Sequence, residues 1–368
     1  MTNLNELYQN YGQSPWIDNI RRDWLNDGTL AKFVDEGVRG VTSNPSIFAK
    51  ALATSSAYDE FVKSSSDNSA EELFESLAVA DVRDACDVLA SVHKDSLGEF
   101  ASGTRRYLDG FVSLEVSPRL ARDTKGTIDA AKRLAARVDR PNVMIKIPAT
   151  KEGLPAIRAV LGAGINVNVT LIFSIERYDE VITAWTQGLT DSYDAGHDLG
   201  RIASVASFFV SRVDVAVDAL LPDGDPRRGT TANAQVAAAF ALYLRRMKGQ
   251  DVLTLLTQGA QVQRPLWAST STKDPSFDDL LYVNRLVANE TVNTMPDATL
   301  AAVLGHANFS SSYLLSDDSC AKAAAQLYQL PDSVSLDDVT ARLEVEGVDA
   351  FAKSYEELLA TVASKMHA

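Results

Sequence analysis

Short apolar runs rich in β-branched residues alternate along the chain with longer segments whose apolar positions recur every three to four residues. The runs lie at 15–20 (PWIDNI), 37–43 (GVRGVTS), 110–116 (GFVSLEV), 142–149 (NVMIKIPA), 164–173 (GINVNVTLIF), 203–210 (ASVASFFV), 251–260 (DVLTLLTQGA) and 290–296 (ETVNTMP). Near-continuous apolar runs separated by helices predict parallel strands covered on both faces. Leu73, Leu77, Val88 and Val92 carry helical spacing through 71–100; Leu154, Ile157 and Leu161 do so after the fourth run, and Tyr178, Ile182 and Trp185 after the fifth. Asn44-Pro45 and Ser117-Pro118 pair a capping side chain with a first-turn proline, which predicts two helices starting where strands end. Alternating strand–helix units of this number favour an α/β fold of the (β/α)8 TIM-barrel type. No GxGxxG or Walker-type loop follows any run, which weakens a nucleotide-binding reading. The whole of 1–368 reads as one barrel domain. Within it, 308–368 forms a helical C-terminal extension whose stripe of Phe351, Tyr355, Leu358, Leu359 and Val362 must pack on the barrel.

Charge narrows the partners. With 35 Lys+Arg against 49 Asp+Glu, the formal net charge is −14. Such a surface repels nucleic acid and anionic lipid, so neither is expected as a partner, and an anionic substrate needs its own cluster of positive charge. Cys86 and Cys320 stand far apart with no CxxC pattern, which suits a reducing compartment. The first residues lack a basic and apolar leader, and no apolar run reaches bilayer length, so the expectation is a cytoplasmic protein. No apolar stripe stands out beyond those the fold needs, which leaves monomer or homodimer open.

Lys146 is the residue that most needs a reason. In VMIKIPAT, Val143, Ile145 and Ile147 share one strand face, and Met144 and Lys146 the other. A lysine mid-strand in a parallel sheet is costly to bury unless paired or neutral, and a neutral amine is what attacks a carbonyl to form an imine. The alternative is a lysine in a structural ion pair. On the next strand Asn166, Asn168 and Thr170 make a polar stripe, suited either to a ligand at the barrel mouth or to an internal hydrogen-bond network. Asp18 and Glu115 each put a carboxylate at a strand end, where proton transfer is possible; a helix cap or an arginine partner would explain them as well. Asn44 reads first as a helix cap. Ser207, Arg212 and Arg264 are candidates for a phosphate, whose oxygens match the guanidinium fork. The four histidines (His93, His197, His306, His367) show neither HxH nor HxxxH spacing, so no metal site is expected.

WIDNI, TSNPS, VSLEVSPRL, VMIKIPAT and GINVNVTLIFS, in this order and at these strand ends, resemble the transaldolase family across roughly the first 310 residues. The specific element is IKIPAT followed about twenty residues later by GINVNVTLIFS. The resemblance implies a circularly permuted barrel of the class I aldolase type, with Lys146 as the Schiff-base lysine on the fourth strand. It makes Asp18 the carboxylate that handles the hydroxyl proton, and Glu115 with Thr170 the pair that positions a catalytic water. Asn44 and Asn168 would hold hydroxyls of a dihydroxyacetone unit, and Ser207 and Arg212 the phosphate. Two departures stand out: SFFVSR at 207–212 where the family often has S-P-F-V-G-R, and Arg264 in QVQRP where S-F-R-N is expected. The implied activity is transfer of dihydroxyacetone from sedoheptulose 7-phosphate or fructose 6-phosphate to glyceraldehyde 3-phosphate or erythrose 4-phosphate, in the pentose phosphate pathway. No cofactor is implied. Rival readings are a metal-dependent aldolase, an acceptor-independent fructose 6-phosphate aldolase, and a barrel kept as a scaffold. Glu115 and the added helices favour transaldolase over the second.

Overall fold

The computed structural model describes residues 1–65 and 69–366. Eight parallel strands close into a barrel in sequence order, β1 Gln13–Ile17, β2 Gly40–Val41, β3 Phe111–Glu115, β4 Val143–Pro148, β5 Val167–Ile172, β6 Ser204–Phe209, β7 Arg264–Ala268 and β8 Thr291–Met295. The seam is the β1–β8 pairing, from Gln13 opposite Thr291 to Ile17 opposite Met295. Strands β4, β5 and β6 are buried along their whole length because helices cover the outer face while side chains fill the inner one. At β2 the barrel wall needs glycine: a Cβ on Gly40 would stand 2.3 Å from the Trp16 ring. Among the described residues no helix is long and apolar enough to cross a membrane.

Seven of the predicted strands coincide with observed ones to within a few residues. The 251–260 run does not: it lies in the helix Gln250–Thr257, with Val252 and Leu255 buried one turn apart and Leu253 turned to solvent. The true seventh strand, RPLWA, begins with a charge and a residue that lacks a backbone N–H, and so does not look like a strand. A second correction concerns Ser117-Pro118. Asn44 does cap the helix Pro45–Thr54, its Oδ1 accepting from the Ile47 N–H at 3.1 Å. Ser117 makes no cap hydrogen bond; Pro118–Leu120 is a single 3-10 turn, and the next helix, Thr124–Val138, is capped by Asp123. The 71–100 stretch is two helices, Ala70–Val88 and Ala90–Ala101, meeting at Leu89.

The last element is the long helix Leu336–Met366, which packs on the Pro45–Thr54 and Ala70–Val88 helices and reaches β5. Phe351, Tyr355, Leu358 and Val362 are buried along one face of it.

A polar knot closes the end of the barrel where the strands begin. Asp109, fully buried, accepts from Ser14 Oγ and from Trp16 Nε1 (2.9 Å), and pairs with Arg39 (3.0 Å) and Arg264 (3.6 Å). Burial alone would raise its carboxyl, but Arg264 and Arg39 together hold it below the usual aspartate value. Asp109→Ala leaves two guanidinium groups facing no anion, and is expected to cost about 3–5 kcal/mol in urea unfolding at neutral pH. The contribution is complete above the ordinary aspartate pKa and is lost as pH falls through the lowered one, so the gap between variant and wild type should narrow in acid.

Candidate active site

Strand register alone sets the central row. Glu115 on β3 is opposite Lys146 on β4, and Lys146 is opposite Asn168 on β5. Alternation points all of them into the barrel near its C-terminal mouth. Lys146 Nζ lies 3.2 Å from Glu115 Oε2 and donates to the Ser43 carbonyl at 3.1 Å. The two side chains are 6% and 5% exposed, so this pair is held in a dry wall rather than on a solvated surface. Burial pushes the Glu115 carboxyl up to about 7 despite the opposing charge of Lys146.

Asp18 directly follows β1. Its Oδ1 accepts from Thr42 Oγ1 at 2.6 Å, and Thr42 in turn meets Thr294 Oγ1 at 2.6 Å. Burial raises the Asp18 carboxyl, and the positive charge of Lys146 opposes that shift. Thr170 Oγ1, on the strand beside Lys146, is buried with no hydrogen-bond partner among the described residues. An orphaned hydroxyl lining the same cavity as Asp18 and Lys146 suits a site that takes up water or substrate.

A cavity of about 180 Å³ is lined by Asp18, Asn44, Lys146, Thr170, Ser207 and Arg212 among others, with Glu115 behind Lys146 and outside the lining. Asn44 serves twice, since its Oδ1 caps a helix while the residue borders the cavity. Asn168 is not part of the lining. It lies fully buried, donating to Ser113 Oγ (2.9 Å) and accepting from Ser207 Oγ (2.7 Å), and so supports Ser207 from below.

Arg264 is not brought to this cavity. Besides Asp109, it bonds Ser14 Oγ and the carbonyls of Thr291 (2.8 Å) and Leu108 (3.4 Å), and stacks 3.9 Å from the Tyr107 ring centroid. Those partners lie just before or at the start of strands, at the opposite end of the barrel, so Arg264 is tied into the buried knot there and away from this cavity. Its place among the cavity's cations is taken by Lys273, from the loop after β7. Lys273 and Arg212 form no ion pair among the described residues, and burial lowers both. Arg212 lowers Lys273 further by like charge, with Asp18 opposing. Two partly desolvated, mutually repelling cations make a receptor for an anion.

Sequence reasoning missed Thr42, Thr294, Lys273 and Phe351. Thr42 had a signal, its place two residues before Asn44 at a strand end; Lys273 was hidden by the misplaced seventh strand. Of the histidines, His93 is buried against the Asp109 carbonyl (2.8 Å), His306 meets Asp279 at the surface (3.0 Å), and His197 lies beside Gly164. His367 lies outside the described residues.

Residues 15–362 match the family model described as Transaldolase/Fructose-6-phosphate aldolase. The transaldolase of Saccharopolyspora erythraea is 46% identical over 99% of this chain and 98% of its own length. That of Thiobacillus denitrificans is 44% identical over 98% and 99%, and that of Thermobifida fusca 47% over 97% and 96%. The chain belongs to the transaldolase and fructose-6-phosphate aldolase family.

Proposed function

We propose that this protein is a transaldolase that carries a dihydroxyacetone unit on Lys146 between phosphorylated sugars. The observation that carries the reading is Lys146, which lines a cavity with Asp18, Arg212 and Lys273 and is backed by the Glu115 carboxylate 3.2 Å behind it in the barrel wall. A carboxylate brought near neutrality can take the proton from Nζ, and the neutral amine then attacks the donor ketone. Glu115 and Thr170 hold the water exchanged in the carbinolamine steps. Asp18 removes the C4 hydroxyl proton, the C3–C4 bond breaks, and its electron pair flows into the protonated imine. The aldose phosphate leaves while the three-carbon unit stays as an enamine. An acceptor aldehyde reverses these steps, which gives ping-pong kinetics. The protonated imine is itself the electron sink, so the route calls for neither metal nor coenzyme.

Asn44 is assigned to the hydroxyls of the three-carbon unit, with Asn168 acting through Ser207. Arg212 and Lys273 are assigned to the phosphate. The donors would be sedoheptulose 7-phosphate or fructose 6-phosphate and the acceptors glyceraldehyde 3-phosphate or erythrose 4-phosphate. Residues 308–368 are read as an extension of a single barrel domain, in a cytoplasmic monomer or homodimer.

The test is a borohydride trap: fructose 6-phosphate is added, the mixture reduced and digested, and the adduct located by mass spectrometry. A reduced three-carbon adduct on Lys146 is expected; a folded protein giving none would overturn the Schiff-base route. Arg212→Ala should raise KM for phosphorylated donors about 100-fold, in line with loss of a charge-assisted contact, while changing KM for unphosphorylated fructose little. Equal effects on both donors would remove the phosphate assignment.

A further inference from the structure

Phe351 reaches the cavity from the far end of the chain. It is 5% exposed, lines the cavity, and its ring centroid lies 5.6 Å from Lys146 Nζ. The helix comes this close because Gly347, one turn earlier on the same face, rests on the end of β5. A Cβ there would stand 3.2 Å from Leu171 and 3.3 Å from Phe173. Leu171 adopts a φ of 59°, within the register shift between Val169 and Ile172 that breaks the strand's alternation just after Thr170. The helix is then fastened on its next turns. Ser354 bonds Ser46 Oγ (2.9 Å), Tyr355 donates to Glu71 (3.1 Å), and Glu356 pairs with Arg119 (2.7 Å).

The same ring borders a second, narrow void of about 10 Å³, shared with Glu115, Pro148 and Val348. That volume has room for about one water. Phe351 therefore borders both spaces, the larger one on the Lys146 side of the ion pair and the narrow one on the Glu115 side, and its removal would join them.

The enamine held on Lys146 has two fates. Its carbon can attack an acceptor aldehyde. Alternatively, the carbon takes a proton, water adds to the imine carbon, and the C–N bond breaks. Free dihydroxyacetone then leaves and Nζ recovers as an amine; in net terms, one water is consumed. The carbinolamine steps need the water held by Glu115 and Thr170, whereas any further water only shortens the life of the enamine.

We infer that Phe351 sets how the bound three-carbon unit is partitioned between acceptor and water, by keeping additional water from the carbon–nitrogen bond at Lys146. The inference rests on the transaldolase reading. It concerns specificity: the apolar ring supplies no proton and bonds no hydroxyl, and its effect is to favour transfer over release.

The test uses the full-length protein and two rates. One is dihydroxyacetone released from fructose 6-phosphate without acceptor; the other is transfer to erythrose 4-phosphate. Phe351→Ala is expected to raise the ratio of release to transfer by about tenfold, and Phe351→Leu, which keeps part of the volume, by about threefold. A packing role alone would lower both rates together and leave the ratio where it was. Should the alanine variant not fold, the leucine variant carries the same test. Normal transfer by the wild type with an unchanged ratio in the folded variants would overturn the inference alone. A wild type that transfers nothing would overturn the function proposed above and the inference with it.

Discussion

Lys146→Arg is expected to lower kcat for transfer by at least about 10⁴-fold, because a guanidinium does not give up its proton and forms no imine. The substitution keeps a positive charge beside Glu115, so the buried carboxylate is not left unpaired and the fold should survive. This matters for interpretation: Lys146→Ala would strand Glu115 in a wall where its side chain is 5% exposed, mixing lost chemistry with lost stability. A thermal melt close to wild type, no transfer and no borohydride adduct would together assign the covalent step. Transfer at more than about 1% of wild type in the folded variant would contradict it.

The second large effect belongs to Glu115. Its carboxyl, pushed up to about 7 by burial, must be ionised to accept the Nζ proton and to orient water. The sign follows directly. As pH falls through about 7 the carboxylate takes a proton, the base form disappears, and kcat/KM declines on the acid side. Glu115→Gln should lower kcat by about 10²–10³-fold and flatten that acid limb, since the amide does not titrate. A pH series of kcat/KM for both proteins decides the matter. An acid limb that persists unchanged in Glu115→Gln would move the titration to Asp18, whose carboxyl is also raised by burial.

The barrel was legible because parallel strands covered on both faces leave near-continuous apolar runs. Where a run carried the wrong chemistry the reading failed. RPLWA opens on Arg264 and Pro265, whereas DVLTLLTQGA offers an apolar density that a short helix shares with a strand. Lys146 stood out since a charge in mid-strand conflicts with burial, and Glu115 and Asn168 followed as polar residues at strand ends and on inward faces. Arg264 misled for a related reason. With 251–260 read as the seventh strand, Arg264 falls just past a strand end at the barrel mouth; it in fact opens that strand at the other end, where Asp109 claims it. Phe351 carried no site signal at all. Its spacing marks it as one member of an apolar helix stripe, and only the close approach allowed by Gly347 turns that stripe toward Lys146.

The β1–β8 seam joins residues 13–17 to residues 291–295, so the first strand is made long before its second neighbour. At roughly 5–20 residues per second of synthesis, β1 waits on the order of tens of seconds with one edge unpaired. Of its two native partners only β2 is made early, and the contact between Gly40 and the Trp16 ring is available as soon as β2 emerges. Closure then comes late and all at once, when β8 arrives to cover the edge. A chain released before β8 would leave both the β1 and the β7 edges uncovered, and so would be prone to edge-to-edge association.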